Sequence, residues 1–139
     1  MLHLAICDKS LNDTEQMEKY LENIKFFNFD YEVFENAKEL YKYQTQHHEN
    51  FDIYILSIEL EDMLGLEVAR KLREDSQEAL IIFVSNDAKC VFDVFDVFTF
   101  AFLLKPLTYN KFSTTLYNAF NYLYLSLIHI SEPTRLQLI

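Results

Sequence analysis

Glycine and proline are scarce in this chain of 139 residues, which contains one glycine and two prolines. Turns must therefore form at Asn, Asp and Ser, whose short polar side chains bond to nearby backbone groups. No apolar run approaches the ~18–20 residues of a membrane-spanning helix, and the N-terminus lacks a basic region that leads into an apolar one. We therefore expect no membrane partner and a cytoplasmic location.

Cysteines and basic residues are also few. Cys7 and Cys90 lie 83 positions apart without metal-ligand spacing, so we expect two reduced core thiols rather than a disulfide or a zinc site. Twelve Lys and Arg residues are outnumbered by 22 Asp and Glu residues, which leaves a formal charge of -10. Because phosphate backbones attract basic proteins, we expect no direct DNA binding by this segment.

Apolar residues, in contrast, make up 50% of the chain, which is enough for one globular domain with a core. Short apolar runs that end at polar residues are typical of buried parallel strands. They lie at residues 4–7, 53–56, 80–84 and 102–104, and residues 31–34 are predicted as a further, brief strand. Helical patterns lie between the runs; Asn36 is a predicted N-cap, and a weak helix precedes the last strand. This alternation predicts an α/β fold with a doubly wound parallel sheet.

Ligands of such sheets bind beyond the carboxyl ends of the strands, so the residues at these ends form the candidate site. They are Asp8, Lys9, Ser57, Ser85, Asn86 and Lys105. The chain has no Gly-rich phosphate loop and no Ser-His-Asp spacing. We therefore expect that it is not an enzyme.

Four segments around these residues resemble the receiver domain of bacterial two-component response regulators. In chain order they are LAICD, FDIYILSIELEDMLGLEVARKLR, LIIFVSNDAK and FAFLLKP, and the likeness covers roughly residues 2–123. The stretch Phe95-Asp96-Val97 with FAFLLKPL is most similar to receivers that precede a LytTR-type DNA-binding domain. The resemblance implies a flavodoxin-like (CheY-like) fold, with five parallel strands in the order 2-1-3-4-5.

The resemblance also implies a role for each matching residue. In the family, carboxylates after the first strand hold magnesium, and an aspartate that ends the third strand accepts a phosphoryl group. By position, Asp8 is the first member of the acidic pair and the remaining metal ligand. Lys105 with Pro106 is the Lys-Pro pair, joined by a cis peptide. Ser85 is the hydroxyl switch that bonds the phosphoryl oxygen, and Phe102 is the aromatic switch.

The chain departs from this family pattern at the residues that carry the chemistry. Ser57 stands at the phosphoacceptor position, Lys9 at the second acidic position, and Glu61 where the family has a proline. A serine hydroxyl has no carboxylate charge for magnesium and cannot form an acyl phosphate. Ser57 then reads as a small buried hydroxyl, whereas Lys9 is either solvated or an internal counter-ion of Asp8.

These departures predict a pseudo-receiver that lacks a cofactor and acts through protein–protein contacts. Two alternatives remain: a phosphorylatable receiver with a nonstandard acceptor or a misread Asp at position 57, and a small-ligand-sensing domain. The expected partners are a second copy, through the fourth helix, fifth strand and fifth helix, and a sensor histidine kinase. The domain would control a LytTR-type DNA-binding effector.

The last residues have a different origin from the rest. Residues 125–135, LSLIHISEPTR, resemble the translation of a transposase adapter used in sequencing-library preparation. We therefore divide the chain into a receiver domain at 1–124 and an adapter-derived tail at 125–139, which was never selected to pack. We expect the natural chain to continue past Tyr124 into the DNA-binding domain.

Overall fold

The structure, a computed structural model, describes residues 1–48, 50–89 and 97–131, with side chains as far as Ser126. Its sheet has five strands, all parallel: β1 (Leu2–Cys7), β2 (Phe29–Phe34), β3 (Ile53–Ser57), β4 (Leu80–Ser85) and β5 (Ala101–Leu104). Their order is β2-β1-β3-β4-β5, which confirms the predicted fold. The order reverses between β1 and β3, so the site is expected at the carboxyl ends of these two strands.

Four helices are described: α1 (Leu11–Glu22), α2 (Ala37–His47), α3 (Gly65–Asp75) and α4 (Tyr109–Ser131). α4 is the fifth helix of the sequence prediction. The weak fourth helix is predicted between β4 and β5, where residues 90–96, including Cys90, Phe95 and Asp96, lie outside the described residues. Within the described part of the chain, no helix is long and apolar enough to cross a membrane.

Helices cover both faces of the sheet, which explains why the strands read as continuous apolar runs. On one face, alternate strand residues such as Tyr54 and Phe83 pack with residues of α2 and α3. On the other face, their neighbours such as Ile55 pack with residues of α1 and α4, among them Met17 and Phe120. The central strands β1, β3 and β4 are therefore largely buried on both sides, whereas the edge strand β2 carries the exposed Asp30 and Glu32.

Local sequence explains how two of the helices begin. Ser10 accepts the backbone N–H of Asp13 at the start of α1. Asn36 accepts that of Glu39 at 2.9 Å at the start of α2, which confirms the predicted N-cap. The helix α4 continues through Ser131, past the predicted boundary at residue 124, and that boundary stays a prediction.

Gly65, the single glycine, sets the distance between α3 and the end of β3. A Cβ atom at this position would lie 2.1 Å from the backbone oxygen of Ser57, far inside van der Waals contact. Only glycine therefore lets α3 begin this close to the candidate site. Its N–H donates to the backbone oxygen of Ile58 at 2.7 Å, which fixes the loop between β3 and α3.

Candidate functional site

The buried polar side chains of the described structure are concentrated at the carboxyl ends of the strands. They are Asp8, Thr14, Ser57, Ser85 and Lys105. All but Thr14, whose hydroxyl donates to the backbone of Leu11, were predicted as site residues. We refer to Asp8, Ser57, Ser85 and Lys105 as the strand-end cluster.

Lys105 is held between two carboxylates. Its Nζ lies 2.8 Å from Asp8 Oδ2 and 2.8 Å from Asp13 Oδ2, and its side chain is 6% exposed. Burial alone would lower the pKa of Lys105, but hydrogen bonds to Asp13 and Asp8, together with the charges of both carboxylates, raise that pKa above its usual value. The cation at this edge of the sheet is therefore an internal ammonium that is already paired. The peptide bond to Pro106 is cis, as the resemblance implied.

Asp13 was missed by the sequence analysis. It lies in the first turn of α1, where an acidic side chain is ordinary because it favours the helix dipole, so nothing in its local sequence marks it as a site residue. The available signal was its distance of five positions from Asp8, at the start of the helix that leaves the strand end.

Asp8 uses both of its carboxylate oxygens. Oδ1 accepts the backbone N–H of Ser10 at 3.0 Å, and Oδ2 accepts the ammonium of Lys105. Lys9, predicted as a pocket residue, is exposed because the chain bends there on its way from β1 to α1. The counter-ion of Asp8 is therefore Lys105, and the expectation that Lys9 bridges to it is wrong.

Ser57 and Ser85 are both buried, and each hydroxyl donates to Glu59. Ser57 Oγ makes a long hydrogen bond of 3.4 Å to the backbone oxygen of Glu59. Ser85 Oγ donates to the carboxylate oxygen Oε1 of Glu59 at 2.7 Å and accepts the backbone N–H of Asp87 at 3.0 Å. Glu59 was not predicted as a site residue, since it lies among several acidic loop residues.

Phe102 lies one strand away from this pair. It is half-buried and packs against the core cluster that contains Phe83 and Val97, and it is the register partner of Phe83 in β4. Its ring is therefore on the same face of the sheet as α3, in contact with the strand that ends at Ser85. Its role as the aromatic switch stays a prediction.

The loop at residues 58–64 is also attached to α2. The carboxylate of Asp62 accepts the backbone N–H groups of Ala37 at 3.1 Å and Lys38 at 3.0 Å. Desolvation would raise the pKa of Asp62, but these and further backbone hydrogen bonds outweigh it and lower the pKa below its usual value. The acidic loop thus bridges the start of α2 and the end of β4.

Cys7 ends β1 beside this loop. Burial above all, with the negative charges of Asp62 and Asp8, raises the pKa of its thiol to about 12. A thiol with such a pKa is unreactive at neutral pH. This agrees with a free core cysteine.

Within the described ranges, no group of three or more His, Cys, Asp and Glu residues is arranged to hold a metal ion. No buried side-chain nitrogen or oxygen of the described residues lacks a hydrogen-bond partner. Each buried polar side chain of the strand-end cluster therefore has a partner within the described chain, and the ligand-sensing alternative stays untested.

Comparison with known proteins agrees with this geometry. The sequence model for the response regulator receiver domain matches residues 4–117. No curated protein is similar enough in sequence to match the chain. A receiver domain protein from Clostridium thermocellum superposes with a TM-score of 0.76 at 16% identity, over 90% of this chain and 98% of that one.

Two similar structures contain magnesium and a beryllium fluoride. One is the response regulator TrrA from Thermotoga maritima, with a TM-score of 0.72 and 22% identity over 86% of this chain and 99% of that one. The other is a CheX–CheY complex from Borrelia burgdorferi, with a TM-score of 0.73 and 22% identity over 86% and 89%. At these identities the likeness concerns the fold.

Proposed function

Because this chain belongs to the response regulator receiver family, we propose that it is a pseudo-receiver, which signals through protein–protein contacts without phosphorylation at position 57. Receiver domains act in two-component signalling, where a phosphoryl group on an aspartate normally sets the state of the domain. In this chain the fold of the family is kept, and the side chains that would carry out the transfer are changed.

The observation that carries the proposal is the pairing of Lys105 with Asp8 and Asp13. Phosphoryl transfer to a carboxylate requires a nucleophile and cations that neutralise the transferred charge. Ser57 provides a hydroxyl in place of the carboxylate. The ammonium of Lys105 is paired with two carboxylates at 2.8 Å, so its charge is offset by Asp8 and Asp13 rather than by a carboxylate at position 57.

Magnesium, which the family implies, does not fit the donor set. Magnesium requires several oxygen ligands in near-octahedral geometry, usually including carboxylates. Asp8 already binds Lys105 and Ser10, Lys9 adds a positive charge at the rim, and Ser57 brings no charge. No step of the proposed function therefore uses a metal ion.

The proposed partners are those of the sequence analysis: a second copy of this chain, a sensor histidine kinase, and a LytTR-type effector beyond residue 124. The surface for the second copy would consist of the predicted fourth helix, β5 and α4. Its described part includes Leu104 on the edge strand, which is 46% exposed, and the contact between Phe100, the residue before β5, and Tyr122 of α4. The location would be cytoplasmic, without direct DNA binding.

Acetyl phosphate with magnesium, followed by intact-protein mass spectrometry, tests the proposal. We expect no added phosphoryl group on the wild-type chain and little on Ser57→Asp. The double variant Ser57→Asp, Lys9→Asp restores both family carboxylates and should gain an acid-labile phosphoryl group.

The matched control is Ser57→Asn, Lys9→Asp, which has the same size but no nucleophile, and it should remain unlabelled. If the wild-type chain is labelled as readily as the double aspartate variant, the pseudo-receiver proposal is wrong. The alternative of a phosphorylatable receiver with a nonstandard acceptor would then hold.

A further inference from the structure

The buried hydroxyl of Ser85 has a complete set of partners within the chain. It donates to Glu59 Oε1 at 2.7 Å and accepts the backbone N–H of Asp87 at 3.0 Å. Ser85 has no exposed surface, and Glu59 is half-buried. Hydrogen bonds to a carboxylate are stronger than those between neutral groups. The hydrogen bond to Glu59 is therefore the stronger of these two hydrogen bonds of the Ser85 hydroxyl.

The backbone around Glu59 is fixed, so its carboxylate is aimed at Ser85 by the loop. Glu59 forms an antiparallel bridge with Leu64, and the N–H of Gly65 donates to the backbone oxygen of Ile58 at 2.7 Å. Asp62, three residues further on, is bound to the start of α2. Little further backbone freedom is therefore lost when Glu59 reaches Ser85.

Ser85 is in turn connected to β5. Its backbone oxygen accepts the N–H of Lys105 at 2.8 Å, and it is the register partner of Leu104. Phe102, on the same strand, packs in the core beside Phe83. Contiguous contacts therefore connect the Ser85 hydroxyl to β5 and Phe102, and a change in its hydrogen bonds can alter their positions.

We propose that Glu59 is a built-in anionic ligand of the Ser85 hydroxyl, and that it holds the ends of β4 and β5 in one arrangement without a phosphoryl group. The carboxylate supplies the negatively charged acceptor that an added phosphoryl group would bring to this hydroxyl. The inference rests on the proposed function in one respect, because it takes Ser85 as the residue through which the domain changes state.

Three substitutions of Glu59 test whether its carboxylate holds the ends of β4 and β5 through Ser85. The measurement is backbone amide hydrogen exchange, followed by NMR on the full chain. Glu59→Ala removes the carboxylate, Glu59→Asp withdraws it by one methylene while keeping the charge, and Glu59→Gln keeps an acceptor oxygen at the same reach. We expect the Ala and Asp variants to exchange roughly tenfold faster or more at residues 85–87 and 101–105. Glu59→Gln, whose neutral oxygen is a weaker acceptor, should lie between wild type and Glu59→Ala. The control Glu61→Ala, which changes an exposed carboxylate of the same loop, should stay within about threefold of wild type.

A Ser85→Ala variant tests whether the two residues act as a pair. Combined with Ser85→Ala, Glu59→Ala should not speed exchange in β5 beyond the level of Ser85→Ala alone, because the hydrogen bond that it removes is already lost. Exchange in Glu59→Ala and Glu59→Asp at the level of Glu61→Ala, or additive effects of the two residues, would overturn the inference.

The experiments distinguish failure of the inference about Glu59 from failure of the proposed function. Phosphoryl labelling of the wild-type chain would refute the pseudo-receiver proposal, whatever the exchange rates are. Unchanged amide exchange in Glu59→Ala and Glu59→Asp would refute the inference about Glu59. An unlabelled wild-type chain would still support the pseudo-receiver proposal in that case.

Discussion

Neutralising Asp8 should destabilise the fold, because its charge is paired inside the protein. Its side chain is 1% exposed, and its Oδ2 lies 2.8 Å from Lys105 Nζ. Asp8→Asn preserves the shape and leaves an acceptor oxygen for the N–H of Ser10. The substitution removes the charge that faces the ammonium of Lys105.

The size of the effect follows from burial and from the partner that remains. Removal of one member of a buried ion pair costs about 3–5 kcal/mol. Asp13 still faces Lys105 at 2.8 Å in the variant, so we expect about 2–3 kcal/mol, or roughly 5–10 °C in melting temperature. Asp13→Asn should cost less, about 1 kcal/mol, because the Asp13 side chain is 32% exposed and its charge is partly screened by solvent.

Urea unfolding followed by circular dichroism measures both values, since the chain has no tryptophan to report on unfolding by its fluorescence. The control is Asp30→Asn, which changes the exposed partner of His3 and should shift the free energy of unfolding by less than about 0.5 kcal/mol. A site of unpaired carboxylates would behave in the opposite way, because loss of one charge relieves repulsion. A stabilising effect of Asp8→Asn, or one no larger than that of the control, would refute the pairing argument.

Three further predictions concern the surroundings of the site. Gly65→Ala should lower the free energy of unfolding by about 2 kcal/mol or more in urea titrations, because its Cβ would lie 2.1 Å from the backbone oxygen of Ser57; an unchanged midpoint would contradict the close approach. Asp62→Ala should lower the melting temperature at neutral pH. Because the pKa of Asp62 is lowered from 3.8 in the folded chain, this difference should be complete well above pH 3.8 and should be lost as the pH falls through the lowered pKa of the folded chain; a difference that persists in strong acid would refute the assignment. Deletion of residues 126–139 should change stability by less than about 1 kcal/mol, and a cooperative loss of folding would show that the tail belongs to the domain.

Local patterns in the sequence were sufficient to predict a parallel sheet with helices on both faces, and the resemblance to receiver domains added the strand order. Continuous apolar runs that alternate with helical patterns permit few arrangements other than a parallel sheet covered on both faces. In such a sheet, polar residues at the strand ends come together at one edge. The sequence therefore also identified Asp8, Ser57, Ser85 and Lys105 as neighbours, and the structure buries all of them.

Tertiary structure alone decided which of these groups are bonded to each other. Lys105 pairs with Asp8 across 97 positions of the chain, and Ser85 meets Glu59 across 26, whereas Lys9, adjacent to Asp8, is exposed. The chain carries 22 acidic residues, and nothing in its local sequence separates Asp13 and Glu59 from the others. A hydrogen bond requires its two atoms to lie within about 3 Å, and that approach is set by the packing of α1 and of the β3–α3 loop against the sheet.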